Sequence, residues 1–258
     1  MKAMYIAYWI RKRVRALKKI IVYLLIPLLV LSLAIITYIK AQPLTGISKI
    51  KNGTVKAVIL GESIAVSQGA SDPLTTGWNS NLEKSLLNKY SNKIEWDNKA
   101  SAGELVDYCL KRATEIESTT DAVFICSGRI DRNFETPEQF SNKYTQLIYD
   151  IKSKAPGADI FCIVEPPMVS TDESLFLGIR AVIINVSAAT ESNVLDVWSA
   201  FPEDQVGLNQ LLMDGLHPND DGYKLMSDYI YNRLVLIIDT FKWKFPLNIS
   251  KARDMNHS

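Results

Sequence analysis

Val55-Lys56-Ala57-Val58-Ile59-Leu60-Gly61-Glu62-Ser63 decides how the rest of the chain is read. Val55–Leu60 is a short apolar run closed by a glycine, the pattern of a strand buried in a sheet. Ser63 follows directly. A serine just past a buried strand, beside a glycine that permits a tight turn, is well placed as an exposed nucleophile. By itself the default reading is a plain helix cap. Working outward, Ile94–Trp96, Ala122–Cys126, Asp159–Val164 and Val194–Trp198 read as further strands. Between them Gly77–Tyr90, Glu104–Glu117, Pro137–Lys154, Ser174–Thr190 and Asp221–Ile238 carry helical spacing. Pro137 suits a first helical turn, where its missing N–H does no harm. Strands alternating with helices predict parallel crossovers. The expected fold is α/β, a three-layer α/β/α sandwich around a parallel sheet. Reactive groups in such sheets collect at the carboxyl ends of the strands.

The other end of this region holds Asp214-Gly215-Leu216-His217-Pro218-Asn219. His217 is the one histidine of the predicted domain, the second being His257 near the C-terminus. Asp214 comes within reach of its imidazole if the segment curves through Gly215, and Pro218 holds His217 extended. A serine at neutral pH needs a base to take its proton, and that base needs a partner that fixes its tautomer and steadies the imidazolium. Ser63, His217 and Asp214 fill those three roles. With so few histidines a metal site is not expected, and no cofactor is required. Cys109, Cys126 and Cys162 form no even set and no Cys-x-x-Cys, so they read as buried thiols packing like small hydrophobes.

The N-terminus reads differently. Residues 1–19 hold seven basic side chains and no acidic one. The remaining chain carries 22 basic against 28 acidic residues, which excludes the electrostatic footprint of a nucleic-acid binder. Ile20 to Ile39 is uncharged and apolar on every face, and twenty residues at 1.5 Å each cross about 30 Å, a bilayer's hydrocarbon core. Pro27 within it is tolerated by membrane helices. A cleaved signal peptide is the rival reading. Its apolar region would run for about 7–15 residues to a small-residue cleavage site, which Tyr38-Ile39-Lys40-Ala41 does not resemble. The basic excess before the span puts 1–19 in the cytoplasm and the domain outside. The expected layout is a basic segment 1–19, an anchor 20–39, a stalk 40–54, a domain 55–240 and a tail 241–258. Asn248-Ile249-Ser250 in the tail also fits a glycosylation triplet.

Taken together, Gly61-Glu62-Ser63 after the first strand and Asp214-x-x-His217-Pro218 before the last helix resemble the SGNH hydrolases, or GDSL-type esterases. The resemblance runs from about Val55 to Leu236 and implies the SGNH/flavodoxin-like version of the sandwich. Glu62 stands where the family usually has aspartate. Within Asn98-Lys99-Ala100-Ser101-Ala102-Gly103, Gly103 matches the glycine whose N–H points into the family's oxyanion hole, beside the N–H of Ser63. The family's Gly-x-Asn-Asp is Gly128-Arg129-Ile130-Asp131 here, so Ile130 replaces a side-chain donor. Losing one such donor typically costs about 100- to 1,000-fold in turnover. Arg129 and Asn133 are the neighbours that would have to substitute for it; by itself Arg129 reads as a surface charge.

The resemblance implies an ester hydrolase: Ser63 attacks the carbonyl, His217 passes the proton to the leaving alcohol, and water releases the acid. A domain on a stalk of about 15 residues reaches some 50 Å from a membrane when extended. The expected substrates are therefore O-acetyl or short acyl groups on cell-envelope polysaccharide or peptidoglycan. Lipid esters, and acyl transfer to a sugar alcohol, are alternatives on the same site. A weakened SGNH-fold domain that binds glycans or assists envelope assembly is an alternative of another class. Trp78 reads either as a sugar-stacking ring or, from its spacing with Leu82, as core.

Overall fold

The structure, a computed structural model, describes residues 2–41, 44–169 and 173–240. The tail expected over 241–258, with its glycosylation triplet and His257, lies outside the described residues, as do Gln42 and Pro43 of the expected stalk. The chain divides into two compact units, residues 1–44 and 45–258. The first is one helix, α1 (Lys2–Ala41), with Pro27 inside it. Met4–Leu33 is long and apolar enough to cross a membrane, and Leu24, Leu25, Leu28 and Leu29 are all exposed along it.

The second unit is an α/β/α sandwich. Its strands are β1 (Val55–Gly61), β2 (Ile94–Asn98), β3 (Ala122–Cys126), β4 (Asp159–Val164) and β5 (Asn193–Asp196). All pair in parallel, in the order β2-β1-β3-β4-β5. The helices are α2 (Trp78–Tyr90), α3 (Val106–Ala113), α4 (Pro137–Lys154), α5 (Ser174–Ala189), α6 (Gln205–Gln210) and α7 (Asp220–Asp239). Alternate residues of each strand serve opposite faces. Ala57, Ile59, Phe124 and Phe161 pack with Trp78, Leu82, Met226 and Ile230 of α2 and α7. Val58, Leu60, Ile125 and Cys162 pack with Val106, Tyr144 and Ile183 of α3, α4 and α5. Burial on both faces explains why residues 57–60, 122–126 and 160–164 of the three central strands read as unbroken apolar runs.

Three expectations need correction. Gly46–Lys51, read as part of a free stalk, forms a 3-10 turn belonging to the domain. Ile47 and Ile50 are fully buried, the Ile47 N–H donates to Asp159 at 3.0 Å, and Lys49 pairs with Asp121 at 2.8 Å. The helix expected over Glu104–Glu117 covers only Val106–Ala113. Asp131 accepts the Val106 N–H at 2.9 Å at its start, and the Thr114 hydroxyl bonds back to Lys111 at its end. The last strand stops at Asp196 rather than Trp198. The chain turns there into a 3-10 segment, and the Trp198 ring stacks on Phe176 at 5.8 Å.

Candidate active site

The strand order changes direction between β1 and β3, since β2 lies on one side of β1 and every later strand on the other. A crevice at the carboxyl ends of the strands opens at such a switch point. Ser63 lies there, one turn past β1. Gly61 makes the turn: its φ is +151°, and a β-carbon on it would stand 1.9 Å from the Cys126 carbonyl. The next turn is closed by Val66 and Gln68 N–H groups on the carbonyls of Glu62 and Ser63. Trp78 braces it from behind, its indole N–H donating to the Ala65 carbonyl at 3.2 Å. That ring is fully buried, so Trp78 is core and not a sugar platform.

The loop before α7 supplies the other two residues. Its chain reverses through Gly215, whose φ is +81°. The His217 N–H then donates to Asp214 Oδ1 at 2.8 Å, and the Leu216 N–H to the same oxygen at 3.0 Å. Asp214 Oδ2 faces His217 Nδ1 at 2.7 Å, and His217 Nε2 faces Ser63 Oγ at 3.0 Å. Ser63 and His217 are 5% and 7% exposed, while the Asp214 side chain is 41% exposed. Partial burial pulls the Asp214 carboxyl upward. The donors of His217 and Leu216 outweigh it, and the carboxyl ends below its ordinary range. The loop closes with Pro218 and with Asn219, whose side chain caps α7 through the Gly222 N–H.

Two contacts with no signature in the sequence clamp α7 onto the serine's segment. Asp220 accepts from Ser71 N–H and Oγ and from Thr76 Oγ1, at 2.8, 2.6 and 2.7 Å. The Tyr223 hydroxyl donates to the Gln68 carbonyl at 2.6 Å.

Among the described residues, none accepts a hydrogen bond from the amides of Ser63 or Gly103. Gly103 is exposed. The Ile130 N–H, by contrast, is taken by Glu62 Oε1 at 3.2 Å, and the Arg129 N–H by the same oxygen at 2.7 Å. Arg129 is no surface charge: it is 1% exposed. Its guanidinium grips both oxygens of Glu173 at 2.9 and 2.7 Å, donates to the Pro166 carbonyl and lies 3.9 Å over the Phe176 ring. A guanidinium is kept inside only with such partners, and they hold both Nη groups toward Glu173 and Pro166 rather than toward Ser63. Asn133 lies exposed in the 3-10 turn after it.

The three cysteines are free and buried, and burial pushes the Cys109 thiol up to about 12. Among the described residues no three His, Cys, Asp or Glu side chains are grouped to hold a metal ion.

The family model for GDSL-like lipases and acylhydrolases matches residues 59–225. Several solved structures share the fold at low identity. The psychrotrophic esterase EstA of Pseudoalteromonas sp., solved inhibited by monoethylphosphonate, is 19% identical, with a TM-score of 0.57 over 72% of this chain and 99% of its own. The lipase/acylhydrolase of Enterococcus faecalis is 20% identical, with a TM-score of 0.58 over 70% and 95%. A member of the lipolytic protein G-D-S-L family from Veillonella parvula is 18% identical, with a TM-score of 0.55 over 69% and 97%. No curated protein sequence matches the chain.

Proposed function

Because the chain belongs to the GDSL-like lipase/acylhydrolase family and is an ester hydrolase, we propose that it acts through Ser63 as nucleophile, His217 as general base and Asp214 as the group that orients His217. The observation that carries this reading is the unbroken line Ser63 Oγ, His217 Nε2, His217 Nδ1, Asp214 Oδ2, with steps of 3.0 and 2.7 Å. Asp214 as acceptor holds the proton on Nδ1, which leaves the Nε2 lone pair facing the serine. As Ser63 attacks an ester carbonyl, its proton passes to Nε2. The imidazolium then gives that proton to the leaving alcohol, and water enters by the same route. The amides of Ser63 and Gly103 are the two donors for the developing oxyanion. Ile130 contributes none, because its N–H is committed to Glu62 and its side chain has nothing to donate.

The substrate follows from the N-terminal helix. With α1 as an uncleaved anchor and the basic residues 1–19 in the cytoplasm, the domain works outside the membrane. The ester it meets there is an O-acetyl or short acyl group on envelope polysaccharide or peptidoglycan. Incubating the full chain in detergent with p-nitrophenyl acetate, beside Ser63→Ala and His217→Ala, tests the site. A fluorophosphonate probe tests Ser63 as nucleophile. Equal background rates together with labelling that survives Ser63→Ala would overturn the assignment. Acetate release from acetylated peptidoglycan, compared with release from short-chain lipid esters, tests the substrate class.

A further inference from the structure

Behind the nucleophile lies a second set of titratable groups that this mechanism does not use. Glu62 is fully buried, and its Oε1 takes the N–H groups of Arg129 and Ile130. Its Oε2 is buried with no partner among the described residues. Glu165, directly after β4, is also fully buried. Its Oε1 accepts from the Cys126 thiol at 3.5 Å, and its Oε2 is likewise unpartnered. The Glu62 N–H donates to the Cys126 carbonyl at 3.1 Å, so both glutamates are held against Cys126, and their side chains interact there. We propose that Glu62 and Glu165 form a carboxyl pair holding one proton between them, and that this pair positions the Ser63 turn against the loop Gly128–Asp131.

Two ionised carboxylates offer only acceptors, so nothing would join them. One proton turns two orphan oxygens into a donor and an acceptor. The hydrogen bond then fixes the Glu62 rotamer, with Oε1 aimed at the loop after β3 and the backbone of Glu62 running straight into Ser63. In this way the pair links the carboxyl ends of β1, β3 and β4 on one side of the crevice. The longer side chain in place of the family's aspartate supplies the added reach toward β4.

The groups around the pair do not remove the need for a proton. Cys126 of β3, Cys109 of α3, Asp131 at the end of the loop and Tyr223 of α7 surround it and bring no positive charge. Arg129 lowers Glu165 by its charge, but its two Nη groups are taken by Glu173 and the Pro166 carbonyl, and its buried Nε bonds to neither glutamate of the pair. Arg132 also pairs with Glu173, and Lys143 with Asp107 and Glu135. Burial first, and each other's charge after it, push Glu62 well above the ordinary carboxyl range. Burial pushes Glu165 up to about 7. The native state therefore keeps a proton that the unfolded chain has lost. The associated stability is present at low pH and is lost as pH rises through about 7.

The effect on catalysis rests on Ser63 being the nucleophile; the existence of the pair does not, and the two are measured separately. Melting temperature of the full chain in detergent is followed from pH 5 to 9 for the native protein, Glu62→Gln, Glu165→Gln and Asp131→Asn. A glutamine amide imitates the protonated partner and cannot ionise. Either Gln variant should fold and lose most of the fall in melting temperature between pH 6 and 9, while Asp131→Asn keeps the part that belongs to the pair. Variants as steep as the native protein, or Gln variants that do not fold, would overturn the pair. Turnover of p-nitrophenyl acetate reads the positioning role. Glu62→Gln should stay within about threefold at pH 7 and hold its rate further into the alkaline range, whereas Glu62→Ala should fall at least about tenfold in kcat with little change in KM. Equal kcat in Glu62→Ala and the native protein would overturn positioning. A native rate equal to that of Ser63→Ala would instead overturn the nucleophile and leave the melting result standing.

Discussion

Asp214 and Glu62 stand on opposite sides of the same serine, and their carboxyls shift in opposite directions. Asp214 is partly open to solvent and takes two backbone N–H groups and an imidazole, and its carboxyl falls below the ordinary range. Glu62 also takes two backbone N–H groups, but it is sealed from water beside another carboxyl, and it rises. Backbone donors are common to both: with the imidazole they outweigh the partial burial of Asp214, but they do not outweigh the full burial of Glu62 beside a like charge. One side of the turn is thus set up to steady a charge that comes and goes with the proposed reaction. The other keeps its own charge low and serves as framework.

The largest effects should come from breaking the solvent side. Ser63→Ala and His217→Ala should each lower kcat/KM on p-nitrophenyl acetate by about 10,000-fold or more, and losses well short of that would place the chemistry elsewhere. Asp214→Asn keeps the shape but offers His217 a donor in place of an acceptor oxygen. A fall approaching about 10,000-fold in kcat is expected, and a pH–rate profile run alongside shows whether the tautomer is the cause. Ile130→Asn probes the boundary between the two sides. It leaves the backbone bond to Glu62 intact and restores a donor, so kcat should rise by about tenfold; an unchanged kcat would mean that the two amides already suffice. The smallest effect belongs to the buried side. Asp131, raised by burial to about 6, binds a proton in the native state that the unfolded chain releases near pH 4. Stability is thus lost as pH climbs through 6. Asp131→Asn, which still accepts the Val106 N–H, should melt about 2–4 °C higher at pH 8 and unchanged at pH 4.

The difference between the two sides also marks what could be read from the sequence. Strands buried on both faces are unbroken apolar runs, so β1, β3 and β4 can be read directly. Asp214-x-x-His217 is legible because its partners are three residues apart and their geometry is local. Arg129, Glu62 and Glu165 are not legible. In a sequence a charged side chain reads as surface, and only the strand order shows that these three end up in the interior. Glu62 and Glu165 lie more than a hundred residues apart, joined by nothing that composition or periodicity can register. The same holds for Ile47 and Ile50. Lysines at 49 and 51 give that stretch the look of a polar linker, although Lys49 is held by Asp121 and the isoleucines complete the core.

The clamp between α7 and the serine's segment has a consequence for how the protein comes into being. Ser63 and His217 are 154 residues apart, and Asp220 reaches Ser71 across 149. Closing a loop that long costs more chain entropy than any neighbouring strand pairing, and it is repaid only when the last helix docks. During synthesis the sheet can assemble while α7 is still to be made, so Ser63 exists for a time without the imidazole proposed as its base. The onset of esterase activity should therefore follow the burial of the core that α3, α4 and α5 form around Tyr144, on the face without α7, marking the last step of folding rather than the first.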